Sequence, residues 1–183
     1  MFIQTEETPN PATMKFLPGR EVLGTGTMDI TSSTEAAPSP LARRLFQIDG
    51  VRGVFLGGDF ISVTKAGDKN WAEMRTPLLT AIMDHYMSGK PVLEKDGAPD
   101  DAPSSDDDSV EARIRDLLDH KVRPAVAQDG GDITFQRYED GIVYLTLRGA
   151  CAGCPSSTMT LKAGVESLLR HYIPEVREVR QGK

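Results

Sequence analysis

The sequence predicts an α+β protein: two small α+β domains joined by a flexible acidic linker. Three observations carry that expectation. Both halves of the 183-residue chain alternate short β-type runs with helical stripes, separated by Gly, Pro, Asn and Asp turn signals. A length near 180 accommodates two small domains. Residues 96–109, DGAPDDAPSSDDDS, then interrupt the pattern with six Asp and no base. Such a segment has nothing large and apolar to bury, and its charges repel, so it stays solvated and extended. The expected boundaries are an N-terminal domain over 1–95, the linker over 96–109 and a C-terminal domain over 110–183.

The first half reads as strands with two helices. Phe2 to Thr5 and Met14 to Leu17 are β-type runs around the turn-rich Thr8-Pro9-Asn10-Pro11. Pro40 to Ile48 fits a short helix, with Leu41, Leu45 and Ile48 on one face. Val51 to Leu56 and Phe60 to Thr64 flank Gly57-Gly58-Asp59, a hairpin signal. A longer helix opens at Asn70, with Glu73 placed as in a capping box. Its apolar stripe is Trp71, Met74, Leu78, Ile82 and Tyr86; Pro77 is a candidate kink, and Gly89 and Pro91 end it.

The second half predicts α-β-β-α with a possible final strand. Ile114, Leu117, Leu118 and Val122 form a helical stripe expected to break near Pro124. Ile133 to Tyr138 and Ile142 to Leu147 surround Glu139-Asp140-Gly141, again a hairpin. A tight Gly149-to-Pro155 loop leads into a helix from about Ser156 to Tyr172, faced by Leu161, Val165, Leu168, Leu169 and Tyr172. Val176 to Val179 is the candidate last strand.

The charge balance excludes one class of partner. The formal charge is −6, from 27 acids and 21 bases. Setting aside the six linker Asp leaves 21 acids against 21 bases, so neither flank offers the basic face that nucleic-acid binding requires. No apolar run approaches the ~18 residues of a membrane span, so no membrane partner is expected. The start, Met1 to Glu7, has neither a basic segment nor an apolar core, so no secretory signal is expected. With only two cysteines, a reducing cytoplasmic setting, most simply bacterial, is the expectation.

Those two cysteines are Cys151 and Cys154, in Cys151-Ala152-Gly153-Cys154-Pro155. A C-x-x-C turn brings two sulfurs to one side. Pro155 suits the first helical turn, so Cys154 would lie by unpaired helix N–H groups and the positive end of the dipole. That setting favours thiolates, which bind metal. A tetrahedral zinc site or an ordinary iron–sulfur cluster takes four ligands, and one chain offers two thiols. His120 reads as solvated, His171 as too far along the helix, and His85 as a satisfied histidine at the edge of the other core. Two thiolates from each of two chains is the simpler completion. A thiol–disulfide oxidoreductase and a zinc-bridged structural dimer remain open on the same residues. No nucleophile–base arrangement is visible, so an enzyme is not expected.

Asp129-Gly130-Gly131-Asp132, Gly149-Ala150-Cys151, Cys154-Pro155-Ser156-Ser157-Thr158 and Thr160-Leu161-Lys162 resemble the C-terminal domain of NifU-like iron–sulfur proteins. Thr8-Pro9-Asn10-Pro11-Ala12-Thr13-Met14-Lys15-Phe16-Leu17-Pro18-Gly19 resembles the N-terminal domain of the Nfu branch. The resemblance implies a carrier or scaffold that holds a cluster, usually [4Fe–4S] with [2Fe–2S] as the other form, between two protomers. It implies Cys151 and Cys154 as the ligands, apo-protein clients and upstream cluster-assembly machinery as partners, and a recognition role for the N-terminal domain. On the residues alone, Asp129-Gly130-Gly131-Asp132 reads as a helix-to-strand turn and Lys162 as solvated, with Arg148 and Lys162 the cations in reach of a cluster's charge. Met159 lies off the apolar stripe and, with Ala152, is expected to line a dimer contact.

Overall fold

The computed structural model describes residues 1–94, 109–152 and 155–182, and only the backbone of residues 155–157. Contacts between Cα atoms divide the chain into two compact units, Met1–Asp101 and Ala102–Lys183. The acidic segment expected as a linker lies outside the described residues, except for Ser109. Its hydroxyl accepts the Ala112 N–H at 3.3 Å and caps the helix that follows.

The first unit contains strands β1 (Gln4–Glu7), β2 (Thr13–Leu17) and β3 (Met28–Ile30), helix α1 (Pro40–Phe46), strands β4 (Val51–Leu56) and β5 (Ile61–Lys65), and helix α2 (Trp71–Met87). The strands form one antiparallel sheet in the order β1-β2-β5-β4-β3. Strand alternation sends Met14, Phe16, Val54, Leu56, Ile61 and Val63 into the main core with Leu41, Leu45, Leu78 and Ile82 of the helices. The other face of the same strands carries Phe55, whose ring lies 5.9 Å from that of Phe60, and Lys15, whose Nζ sits 4.9 Å over the Phe60 ring.

Strand β1 begins two residues later than the apolar run suggested. Phe2 is exposed, while Glu6 pairs with Lys15 of β2 at 3.5 Å. An edge strand with solvent on both sides tolerates such charges. Strand β3 was not expected at all: three residues are too few to show a period. The Thr8–Pro11 turn is closed by Thr8 Oγ1, which donates to the carbonyls of Asn10 and Thr13, and by Asn10 Oδ1, which accepts the Ala12 N–H. Trp71 Nε1–H donates to the Pro11 carbonyl at 3.0 Å, tying the start of α2 to that turn. Helix α2 runs continuously through Pro77.

The second unit contains α3 (Val110–Leu117), a π-helical turn (Leu118–Val122), α4 (Arg123–Gln128), strands β6 (Gly131–Glu139) and β7 (Ile142–Gly149), helix α5 (Pro155–Tyr172) and strand β8 (Glu178–Gln181). The sheet order is β6-β7-β8, antiparallel between β6 and β7 and parallel between β7 and β8. Helix α5 is therefore the crossover of a β-α-β unit, as a parallel pair requires. Ile114, Leu118, Val122 and Val126 pack with Ile133, Val143, Leu145, Val165, Leu169 and Val179 in one core.

Two expectations need correction here. The helix does not stop near Pro124. Proline has no N–H for the His120 carbonyl and its ring crowds that oxygen. The chain widens by one residue instead, with Arg123 N–H bonded to the Leu118 carbonyl, and helix resumes to Gln128. The last strand also begins later, at Glu178, because Val176 N–H still bonds the Ile173 carbonyl and Arg177 N–H reaches Gly141 before the ladder starts.

Candidate metal centre

The thiol-bearing loop leaves β7 and enters α5, where the sequence placed it. Of the two candidate ligands, Cys151 is described. Cys154, with Gly153, lies outside the described residues. Gly149 turns the chain at φ 64°, a left-handed conformation that an L-residue adopts only with strain. Ala152 N–H then bonds back to the Gly149 carbonyl at 3.1 Å, and the Thr158 hydroxyl lies 3.5 Å from the Cys151 carbonyl.

Cys151 is 5% exposed and belongs to the domain core. What it rests on is the backbone of the 129–131 turn. Gly130 ends α4 at φ 78°, as a helix C′ residue does, and its carbonyl accepts the Ala150 N–H at 3.2 Å. Gly131 is a glycine for a different reason. A Cβ there would stand 2.6 Å from Cys151 Sγ, 2.8 Å from the Arg148 carbonyl oxygen and 3.0 Å from the Cys151 nitrogen. The first glycine supplies a backbone angle and the second supplies room for the thiol.

The aspartate after them is buried and ion-paired. Asp132 accepts from Arg123 Nε and Nη2, each at 2.9 Å, and from the Ile133 N–H at 2.8 Å. Arg123 Nη1 reaches Asp119 at 3.1 Å. The π-helical turn directly precedes Arg123. The Asp-Gly-Gly-Asp segment is thus the helix-to-strand turn that was expected, with two features the sequence reading missed: the contact of Gly131 with Cys151, and the pair that spans the turn. A strand-initial glycine next to one that already serves as helix terminator was the available signal for the first.

The histidines stand apart from this centre. His120 is exposed, its Nδ1 2.9 Å from the Asp116 carbonyl oxygen, and the Asp116 carbonyl and carboxylate push its pKa up. His171 is exposed and packs edge-on against Tyr172 at 5.0 Å. His85 lies in the other unit, and its expectation is corrected: it is fully buried rather than at the core edge, and its Nε2 has no hydrogen-bond partner among the described residues. Burial, reinforced by Arg44 and Lys90, holds its pKa below the ordinary value. The described residues contain no group of three or more His, Cys, Asp or Glu able to hold a metal ion.

On the solvent side, Met159 is 77% exposed and Lys162 is exposed as expected, while Ala152 is half-buried. A cleft of about 570 Å³ opens between Leu161 of α5 and the sheet residues Ile133, Leu145, Leu147 and Val179. No helix among the described residues is long and apolar enough to cross a membrane.

Residues 3–89 match the family model for the scaffold protein Nfu/NifU N terminal region, and residues 114–180 match the NifU-like domain. The human NFU1 iron-sulfur cluster scaffold homolog, mitochondrial, is 48% identical over 182 residues, covering 99% of this chain and 72% of that protein. Its namesake from Drosophila ananassae is 50% identical over 183 residues, covering 99% of this chain and 64% of the relative, so the chain spans only part of its relatives' length. The solution NMR structure of a NifU-like protein from Saccharomyces cerevisiae overlays 51% of this chain and 85% of its own, with a TM-score of 0.47 at 26% identity.

Proposed function

This chain belongs to the Nfu family of NifU-like proteins, and from that premise we propose that it carries an iron–sulfur cluster, [4Fe–4S], between two copies of itself and passes it to apo-proteins. The observation that carries the reading is the Cys151–Cys154 pair in the 114–180 match, in a chain with no other cysteine. An ordinary cluster takes four cysteine thiolates, so two chains must supply them. The cluster is cargo. Held at an interface between copies, it is released when a client's thiolates replace those of one protomer step by step.

The remaining assignments extend that reading. The 1–95 region recognises partners, both clients and the upstream machinery that supplies the cluster; 96–109 tethers it; and 110–183 holds the cluster. We read the chain as a carrier, with no reaction of its own. A compartment reducing enough to keep both thiols from oxidation fits this role. The human and Drosophila relatives bear the word mitochondrial in their names, so the reading goes as far as a reducing compartment and leaves the bacterial cytoplasm unsupported.

Anaerobic reconstitution of the full chain with iron and sulfide, followed by metal and sulfide analysis and native mass, tests the proposal. One [4Fe–4S] cluster per two chains is the expected result, lost in Cys151→Ser and Cys154→Ser. Zinc without sulfide would instead favour the structural dimer. A metal-free monomer that turns over disulfides would favour the oxidoreductase.

A further inference from the structure

A cluster shared by two chains must lie where both can reach it, yet Cys151 is withdrawn into the core of its own domain. We propose that this is a stowed position for the thiol. In the cluster-free chain the bare backbone at Gly131 forms a hollow that keeps Cys151 from solvent, and the Arg123–Asp132 pair holds that hollow in place. The inference rests on Cys151 being a cluster ligand, as read above, and adds how that ligand is held before the cluster arrives.

The hollow is specific. Any side chain at 131 would meet Cys151 Sγ at 2.6 Å, a separation real Cβ atoms essentially never show, and two of the other close atoms are backbone, which cannot rotate away. The residue does not lie among the positive-φ glycines, so space rather than conformation requires it. The turn that presents this hollow is fixed at both ends. Arg123, the first residue of α4, grips Asp132, the second residue of β6, across the intervening helix and turn. The offset of the π-helical turn, forced by Pro124, sets where along the helix Arg123 stands. These are positioning residues: none needs to touch the cluster.

Stowage protects and remains reversible. Buried thiols resist oxidation and alkylation. On the loop side, the Ala150 N–H bonds to the Gly130 carbonyl, the Ala152 N–H to the Gly149 carbonyl and the Thr158 hydroxyl to the Cys151 carbonyl. Freeing Cys151 takes an opening of the 149–152 turn, which the proposal holds to be local. Loading the cluster is then coupled to that opening, and unloading returns the thiol to shelter.

The test uses the full chain carrying Cys154→Ser, so that Cys151 is the sole thiol, with no iron present. Alkylation by iodoacetamide is followed by intact mass at fixed pH, against the same chain in denaturant. The folded chain should react about tenfold or more slowly than the denatured one. Gly131→Ala should bring the rate towards the denatured value. Arg123→Ala, which adds no atom near the thiol, should raise it severalfold and decides the matter if Gly131→Ala fails to fold. Arg123→Lys, lacking the two-pronged fork, should not restore protection. Urea titration of each variant gives its globally unfolded fraction without denaturant, and local release requires the variant to react faster than that fraction of the denatured-chain rate. A folded parent that reacts like the denatured chain, or variant rates that merely track global unfolding, would overturn the proposal. Reconstitution of the unsubstituted chain is judged separately. A sheltered Cys151 in a chain that takes up no cluster would overturn the carrier reading alone, and an unsheltered Cys151 in a chain that loads normally would overturn stowage alone.

Discussion

Arg123 holds Asp132 with both arms of its guanidinium, Nε and Nη2 each 2.9 Å from a carboxylate oxygen, across the turn that supports Cys151. The Asp132 side chain is 3% exposed and that of Arg123 22%. Removing one partner from such a pair leaves the other charge buried and alone. Arg123→Ala should therefore lower the stability of the second unit by about 2–4 kcal/mol, somewhat below the ~3–5 kcal/mol of a fully buried pair because the arginine is partly solvated. A urea titration read by far-UV circular dichroism measures this. A loss below about 0.5 kcal/mol, the level of an ordinary surface change, would mean the pair is not structural.

The first unit should be acid-sensitive through His85. Its pKa lies below the ordinary 6.5 because the imidazole is buried, with the charges of Arg44 and Lys90 acting in the same direction. Arg44 is itself bridged to Asp84 at 3.6 Å. The folded state binds the proton less readily than the unfolded chain, so stability falls as pH drops through 6.5 towards the folded value and is full above it. Fluorescence of Trp71, the single tryptophan, should report a thermal midpoint that falls between pH 7 and 5. His85→Leu should flatten that dependence; an equally steep fall in the variant would assign it elsewhere.

Ser39 joins two ends of the first unit. Fully buried, its hydroxyl accepts the Ala42 N–H at 3.1 Å as the cap of α1 and donates to the Val92 carbonyl at 2.7 Å. Ser39→Ala should cost about 1–3 kcal/mol, since it removes a cap and strands a buried carbonyl. Chemical denaturation followed through Trp71 reads it. Ser39→Gly, a mild change at most caps, should here be nearly as costly, because the bond to Val92 is lost as well.

Met159 tests the dimer. An unbranched apolar side chain this exposed, close to the thiol loop, suits a contact between copies. Met159→Glu should leave the melting curve of the apo chain within about 0.5 kcal/mol of the parent, yet lower both the dimer fraction and the bound iron after reconstitution. Unchanged dimer mass and iron content would remove Met159 from the interface.

Much of the fold was legible because it is written in periodicity. Of the stripe Trp71, Met74, Leu78, Ile82 and Tyr86, the three central residues are buried and the two at its ends half-buried, and the two hairpins close at Gly57–Asp59 and Glu139–Gly141 where the turn residues stand. Errors fell where tertiary contacts decide. Three-residue β3 owes its existence to pairing with β4. The path past Pro124 depends on whether the chain breaks or widens, and a helix packed on both sides of the proline favours widening. His85 looked like an edge residue because polarity was read as exposure.

The sequence by itself determined that two small α+β modules flank an acidic stretch and that the only two thiols stand at C-x-x-C spacing between a strand and a helix, since both facts reside in composition, period and local turn chemistry. Only the tertiary structure decided that Gly131 makes room for Cys151 and that Arg123 and Asp132 meet across the turn. Cys151 stands twenty residues beyond Gly131, and their approach follows from the β6–β7 ladder, which sets Gly131 opposite Gly149. Such a distance is fixed when strands pair in register, and no local pattern of side chains encodes it.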